Sequence, residues 1–113
     1  MSETKSSTGM EQNIASLLCY VLGFITGIVF ILIEKDNKVV RFHAFQSLFT
    51  FLPLFILQYV LAIVLGAILP GIVFTLISLA LLGLMIFLIV KAFQNQMIKL
   101  PIVGDLAAKQ AGV

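Results

Sequence analysis

Between residues 44 and 90 the chain carries no acidic or basic side chain. That is 47 residues, too long for one membrane crossing and right for two. A helix rises about 1.5 Å per residue, and the hydrocarbon core of a bilayer is about 30 Å thick. Composition points the same way. An ordinary soluble domain has about 25% charged residues, whereas this 113-residue chain has 11% charged and 61% hydrophobic residues. Water would leave too much apolar surface uncovered, so the expected solvent is a bilayer. Leu69, Pro70 and Gly71 supply the turn between the two crossings, because Pro and Gly interrupt regular structure. The expected spans are 45–69 and 72–90.

Residues 14–33 form another uncharged apolar run, twenty residues long, and predict a third span. A secretory signal would need a basic start and a shorter apolar core. Here Lys5 is outnumbered by Glu3 and Glu11, and Glu34 and Lys35 follow the run at once. Cys19 lies too far inside the run for a lipoprotein signal. Residues 1–13 are small and polar and read as a disordered tail. The expected fold class is therefore an all-α integral membrane protein, a three-transmembrane-helix bundle forming a single membrane domain over 14–113. In the C-terminal segment, 91–113, the third helix is expected to run on until Pro101, since a residue before Pro avoids the helical region. A short interfacial amphipathic helix then opens at Pro101, with Asp105 and Lys109 paired one turn apart.

The charges cluster between the first two apolar runs. Five of the twelve charged side chains, and the only histidine, fall in residues 34–43. Three crossings would put this loop and the C-terminus on one side, with Lys35, Lys38, Arg41, Lys91, Lys99 and Lys109, and leave Lys5 on the other. The positive-inside rule then places the N-terminus outside and the loop and C-terminus in the cytoplasm. Glu34, Lys35, Asp36, Lys38, Arg41 and His43 are expected to anchor that topology at the interface. Asp36 or Asn37 is placed to cap the helix that follows.

Inside the second span, His43, Gln46, Ser47 and Thr50 share a face, with Pro53 and Gln58 deeper in. Such groups either hydrogen-bond to neighbouring helices and refill the bond Pro53 breaks, or line a polar groove open to the cytoplasm. The first is their commoner use. In the first run, Ala15, Cys19, Gly23 and Gly27 recur every four residues, and in the second Ala62 and Gly66 do so. Small residues at this spacing let helices approach closely, among the spans of one chain more often than across a homodimer seam.

The chemistry of catalysis is not visible. No acidic or basic residue lies within a span, where it would mark an ion or proton path. One His and one Cys do not make a metal site. No nucleophile, base and acid can be assembled at one depth, and no phosphate loop occurs. A net charge of +2 does not call for nucleic acid. The expectation is a protein that is not an enzyme and holds no cofactor. Its partners are the lipid bilayer and other membrane proteins or further copies of itself.

Two segments, GFITGIVFILIEKDNKVVRFHAFQS and KAFQNQMIKLPIVGDLAAKQ, resemble a family of small prokaryotic membrane proteins described as a domain of unknown function. That family is distantly related to the Tic-twenty component of the chloroplast inner-envelope import machinery. The resemblance covers nearly the whole chain after residue 13. It rests on Ile33, Glu34 and Lys35, on residues 40–44 with Gln46 and Ser47, and on residues 99–105. It implies a plasma (inner) membrane protein. It implies that Arg41, His43, Gln46, Lys99, Pro101 and Asp105 serve interface anchoring, helix capping and docking of the C-terminal helix. Since both are expected on the cytoplasmic side, Asp105 is also expected to link to the 35–41 loop. The function expected is a non-enzymatic membrane component acting in an assembly, related to protein translocation or membrane-protein handling. The alternatives are an oligomeric channel or carrier for a small solute, lined by Gln46, Ser47, Thr50 and Gln58, and a stress or immunity factor that binds another membrane protein.

Overall fold

The computed structural model describes residues 5–113. Five helices occur among them: α1 (Gln12–Val21), α2 (Phe24–Ile33), α3 (Lys38–Leu65), α4 (Gly71–Phe93) and α5 (Val103–Ala111). Two of these, α3 and α4, are long and apolar enough to cross a membrane. At 28 and 23 residues they extend about 42 and 35 Å. Asn37 starts α3, its side-chain oxygen accepting the N–H groups of Val39 at 3.0 Å and Val40 at 3.2 Å, which satisfies two of the orphan donors of a helix start. Pro53 lies within α3, and the helix continues through it.

The third crossing expected over 14–33 is not there. The apolar run is two helices of ten residues each, broken at Leu22 and Gly23. Gly23 has φ 63° and ψ −133°, a conformation that a side chain disfavours and glycine accepts. The chain reverses at this point. Asn37 donates to the Gln12 side chain at the start of α1 (3.0 Å) and its backbone N–H donates to Glu34 just past the end of α2 (3.0 Å). Gly23, at the tip, lies instead beside Phe51, Phe55 and Met85. Each limb is about 15 Å long, half the thickness of the hydrocarbon core. So α1 and α2 form a hairpin that enters and leaves at one end of the molecule.

This end, the base, is a four-helix arrangement of α1, α2, the first half of α3 and the last turns of α4. Its core is Ala15, Cys19, Tyr20, Phe30, Val40, Ala44, Phe51, Leu88 and Ala92. Beyond the hairpin tip only α3 and α4 continue, in a molecule 50 Å long and 23 Å wide. There Ile56, Leu57, Tyr59, Ile63, Leu76 and Leu79 all face outward.

The hairpin also corrects the topology. The N-terminal segment shares the base with residues 34–37 and with the end of α4, where Gln12 donates to Asn95 at 3.0 Å and Asn13 to the Phe93 carbonyl at 3.1 Å. These bonds put the start of α1 at the same end of the molecule as the 34–43 loop, and not at the opposite end expected for it. Of the tail expected to be disordered, residues 1–4 lie outside the described residues. Residues 5–11 form a closed turn, with Ser6 N–H on the Met10 carbonyl and Gly9 N–H on the Ser6 carbonyl, both at 2.9 Å.

The end of α4 differs from expectation as well. The helix stops at Phe93 and does not run to Pro101. Asn95 takes a left-handed conformation, φ 59°, and Gln96 N–H turns back to the Lys91 carbonyl at 2.9 Å. This is a helix end of the kind that Gly or Asn permits. Residues 96–100 follow as an extended strap. Next, α5 runs antiparallel to the start of α3, with Gly112 beside Lys38 and Ala107, Ala108 and Ala111 packed on Phe42, Phe45 and Phe49.

Candidate functional site

The polar groups of α3 converge with α1 and the strap inside the base. Gln46 is fully buried. Its amide nitrogen donates to the Ile98 carbonyl at 2.8 Å, and its oxygen accepts Leu100 N–H at 2.9 Å. A main-chain acceptor and a main-chain donor on either side fix which end of the amide is which. Gln46 thus pairs with the strap as a neighbouring strand would. The same nitrogen donates to the Tyr20 hydroxyl at 3.0 Å, and Tyr20 lies 2.8 Å from His43 Nδ1. The Tyr20 hydroxyl thus links the Gln46 amide to the His43 ring. Among the described residues His43 Nε2, Ser16 Oγ and Thr50 Oγ1 have no partner, though all three are buried. The arrangement specifies one packing of α1, α3 and the strap, because each member left unpaired costs its desolvation.

Ser47 has a separate task. Its hydroxyl donates to the Gly23 carbonyl at 2.7 Å, supplying a partner where the hairpin tip breaks the helical ladder. Gly27 lies directly on α3: a Cβ there would stand 2.9 Å from the Ala44 carbonyl oxygen and 3.1 Å from Ser47. Ala15 and Cys19, in the same four-residue register, are in the base core. The Cys19 thiol faces the Ala15 carbonyl at 3.4 Å and the Val40 carbonyl at 3.6 Å.

At the foot of the hairpin, Glu34 is 0% exposed. Its carboxylate accepts from the hydroxyls of Ser6 and Ser7, from Ser7 N–H at 3.0 and 2.8 Å, from Asn37 N–H at 3.0 Å and from Asp36 N–H at 3.4 Å. Burial alone would raise its pKa. The hydrogen bonds from Ser6, Ser7 and Asn37 outweigh that and hold it below the ordinary carboxylate value. Arg41 does not pair with this carboxylate. It donates to the backbone carbonyls of Glu34 at 2.6 Å and Ile31 at 3.2 Å, and stacks on Phe45 with its guanidinium 5.3 Å from the ring centre.

The residues expected to anchor the topology therefore divide. Lys35, Asp36 and Lys38 are exposed, while Glu34 and His43 are interior and structural. Gln46, Ser47 and Thr50 are buried and do not line an open groove. Gln58 stands apart from them, bonded to Ser78 on α4 at 2.7 Å. It borders a space of about 460 Å³ between α3 and α4, walled also by Phe51, Phe55, Ala62, Leu82 and Met85. Lys99 and Asp105 pair with each other at 3.9 Å, both exposed, so the link expected from Asp105 to the 35–41 loop is replaced by this local pair. Pro101 precedes the first turn of α5 and is exposed. Sequence reasoning missed Tyr20, Ser6, Ser7 and Asn95. Tyr20 carried a usable signal, a hydroxyl inside an otherwise apolar run that must find a partner when buried.

Residues 7–107 match the profile of a family described as the magnetosome magnetite crystal formation protein family. The chain is similar to a UPF0132 membrane protein of Methanocaldococcus jannaschii, 42% identical over 104 residues that cover 91% of each chain. A UPF0132 membrane protein of Archaeoglobus fulgidus is 42% identical over 108 residues, covering 91% of this chain and 98% of the relative. A second M. jannaschii protein of that description is 35% identical over 101 residues, covering 89% and 71%. No solved structure matches.

Proposed function

Because the chain belongs to the magnetosome magnetite crystal formation protein family and its relatives are named as membrane proteins, we propose that it is a non-enzymatic component of a membrane assembly. The observation that carries this reading is the contrast between the two halves of the molecule. The base is a filled four-helix unit. Beyond the hairpin tip, α3 and α4 run on as a bare pair, holding the space of about 460 Å³ and a Gln58 to Ser78 hydrogen bond. Polar side chains within membrane helices are used to join helices. A helix from another membrane protein, or from a second copy of this chain, would complete the distal half as the hairpin completes the base. Protein translocation or membrane-protein handling is the activity we assign to such an assembly. The basic residues all belong to the base half, which under the positive-inside rule faces the cytoplasm of a prokaryotic plasma membrane.

Purification from native membranes in a mild detergent, with the mass of the intact complex measured, tests the proposal. A homo-oligomer or a stoichiometric membrane partner is the expected result. A partner from the secretion or insertion machinery would support the translocation assignment. A bare monomer would overturn the assembly reading.

A further inference from the structure

We propose that residues 5–11 are a clasp that locks the α1–α2 hairpin into its seat, with Glu34 as the catch. The segment is continuous with the start of α1, and Glu34 follows the end of α2. Their union closes the open end of the hairpin across 28 residues of sequence. The Ser6 and Ser7 hydroxyls and Ser7 N–H supply most of the donors that the buried carboxylate receives. Ser7 Oγ in turn accepts the N–H groups of Lys35 and Asp36, each at 3.1 Å. The turn therefore organises the junction between α2 and α3 as well as capping it. Removing it would leave Glu34 with the N–H groups of Asn37 and Asp36 and with water.

Of the two limbs, the one that the clasp holds has the fewer buried residues. Of the ten residues of α2, only Gly27 and Phe30 are buried, while Ile25, Ile28, Val29, Leu32 and Ile33 face outward. Elements with few buried contacts open first. By contrast, α1 has five buried residues and is tied to the end of α4 through Gln12 and Asn13. Opening the clasp removes the Ser6 and Ser7 tie at the foot of α2, leaving that foot to the Arg41 bonds on the Ile31 and Glu34 carbonyls, and leaves α1 in place. The hairpin tip transmits the change. Gly23 lies beside Phe51, Phe55 and Met85, and those three side chains also wall the space between α3 and α4. The clasp at the base thus controls the floor of the distal groove at Phe51 and Phe55, well up α3 from the cap at Asn37.

The test is peptide-resolved hydrogen exchange on the full chain in lipid nanodiscs, comparing wild type with Ser6→Ala/Ser7→Ala and with Glu34→Gln. The double serine variant keeps the carboxylate, and the Gln variant keeps its shape. The expected result is that amides of residues 24–33 exchange about tenfold faster or more in both variants, while α5, seated on Phe42 in a separate cluster, keeps wild-type rates. Unchanged exchange in 24–33 would overturn the proposal. So would an equal acceleration in α5, because the serines and Glu34 would then support the whole bundle and would not act as a clasp.

Discussion

Gln46 ties three parts of the molecule together. It joins α3 to the strap through two main-chain groups and to α1 through Tyr20. Gln46→Leu keeps the size of the side chain and leaves the Ile98 carbonyl, Leu100 N–H and Tyr20 without that partner. The expected loss of stability is about 1–3 kcal/mol, read from the denaturation midpoint in detergent. Gln58→Leu removes one partly exposed hydrogen bond and is expected to change the midpoint by less than about 1 kcal/mol. A larger effect at 58 than at 46 would contradict the roles given to the two amides. Some of this was legible residue by residue. The cap of α3 could be narrowed to Asp36 or Asn37 because capping is local chemistry, and the structure chose Asn37. The partner of Gln46 could not, because Ile98 is 52 residues away and offers only a backbone carbonyl.

At the scale of elements, the hairpin is where pattern and structure part. Twenty uncharged apolar residues satisfy a length criterion equally as one crossing or as two half-depth limbs, since hydropathy does not record direction. The two glycines of the GFITG sequence looked like one packing motif. They do different things: Gly23 makes the reversal with its positive φ, and Gly27 lets α2 touch α3. A side chain at 27 must push α2 away from the Ala44 carbonyl. Gly27→Leu is expected to destabilise the protein by about 1–3 kcal/mol through overpacking, measured by thermal unfolding in detergent. A neutral outcome would mean that α2 does not rest on α3 at this point. The strap after α4 has a similar lesson. Asn95, polar and unremarkable among polar neighbours, ends the helix eight residues after Phe87 and six before Pro101, the residue expected to stop it.

For the whole molecule, the consequence is a different topology. With the hairpin returning to its starting end, Lys5, Lys35, Lys38, Arg41, Lys91, Lys99 and Lys109 all fall in the base half, and the charge bias becomes complete. In a Cys19→Ser background, single cysteines introduced as Thr8→Cys and Lys38→Cys are expected to react with a membrane-impermeant reagent from the same side. Reaction from opposite sides would restore a full crossing over 14–33 and remove the hairpin. The sequence by itself determined the solvent, the two long crossings, their turn at Pro70 and Gly71, and a cap at Asp36 or Asn37. Each of these depends on composition or on neighbours within a few residues. Tertiary structure alone decided that the first apolar run doubles back, that Glu34 is held by Ser6 and Ser7, and that Gln46 clips the strap. Those outcomes rest on backbone groups meeting across 27 to 54 residues, and a backbone group looks the same at every position of a sequence.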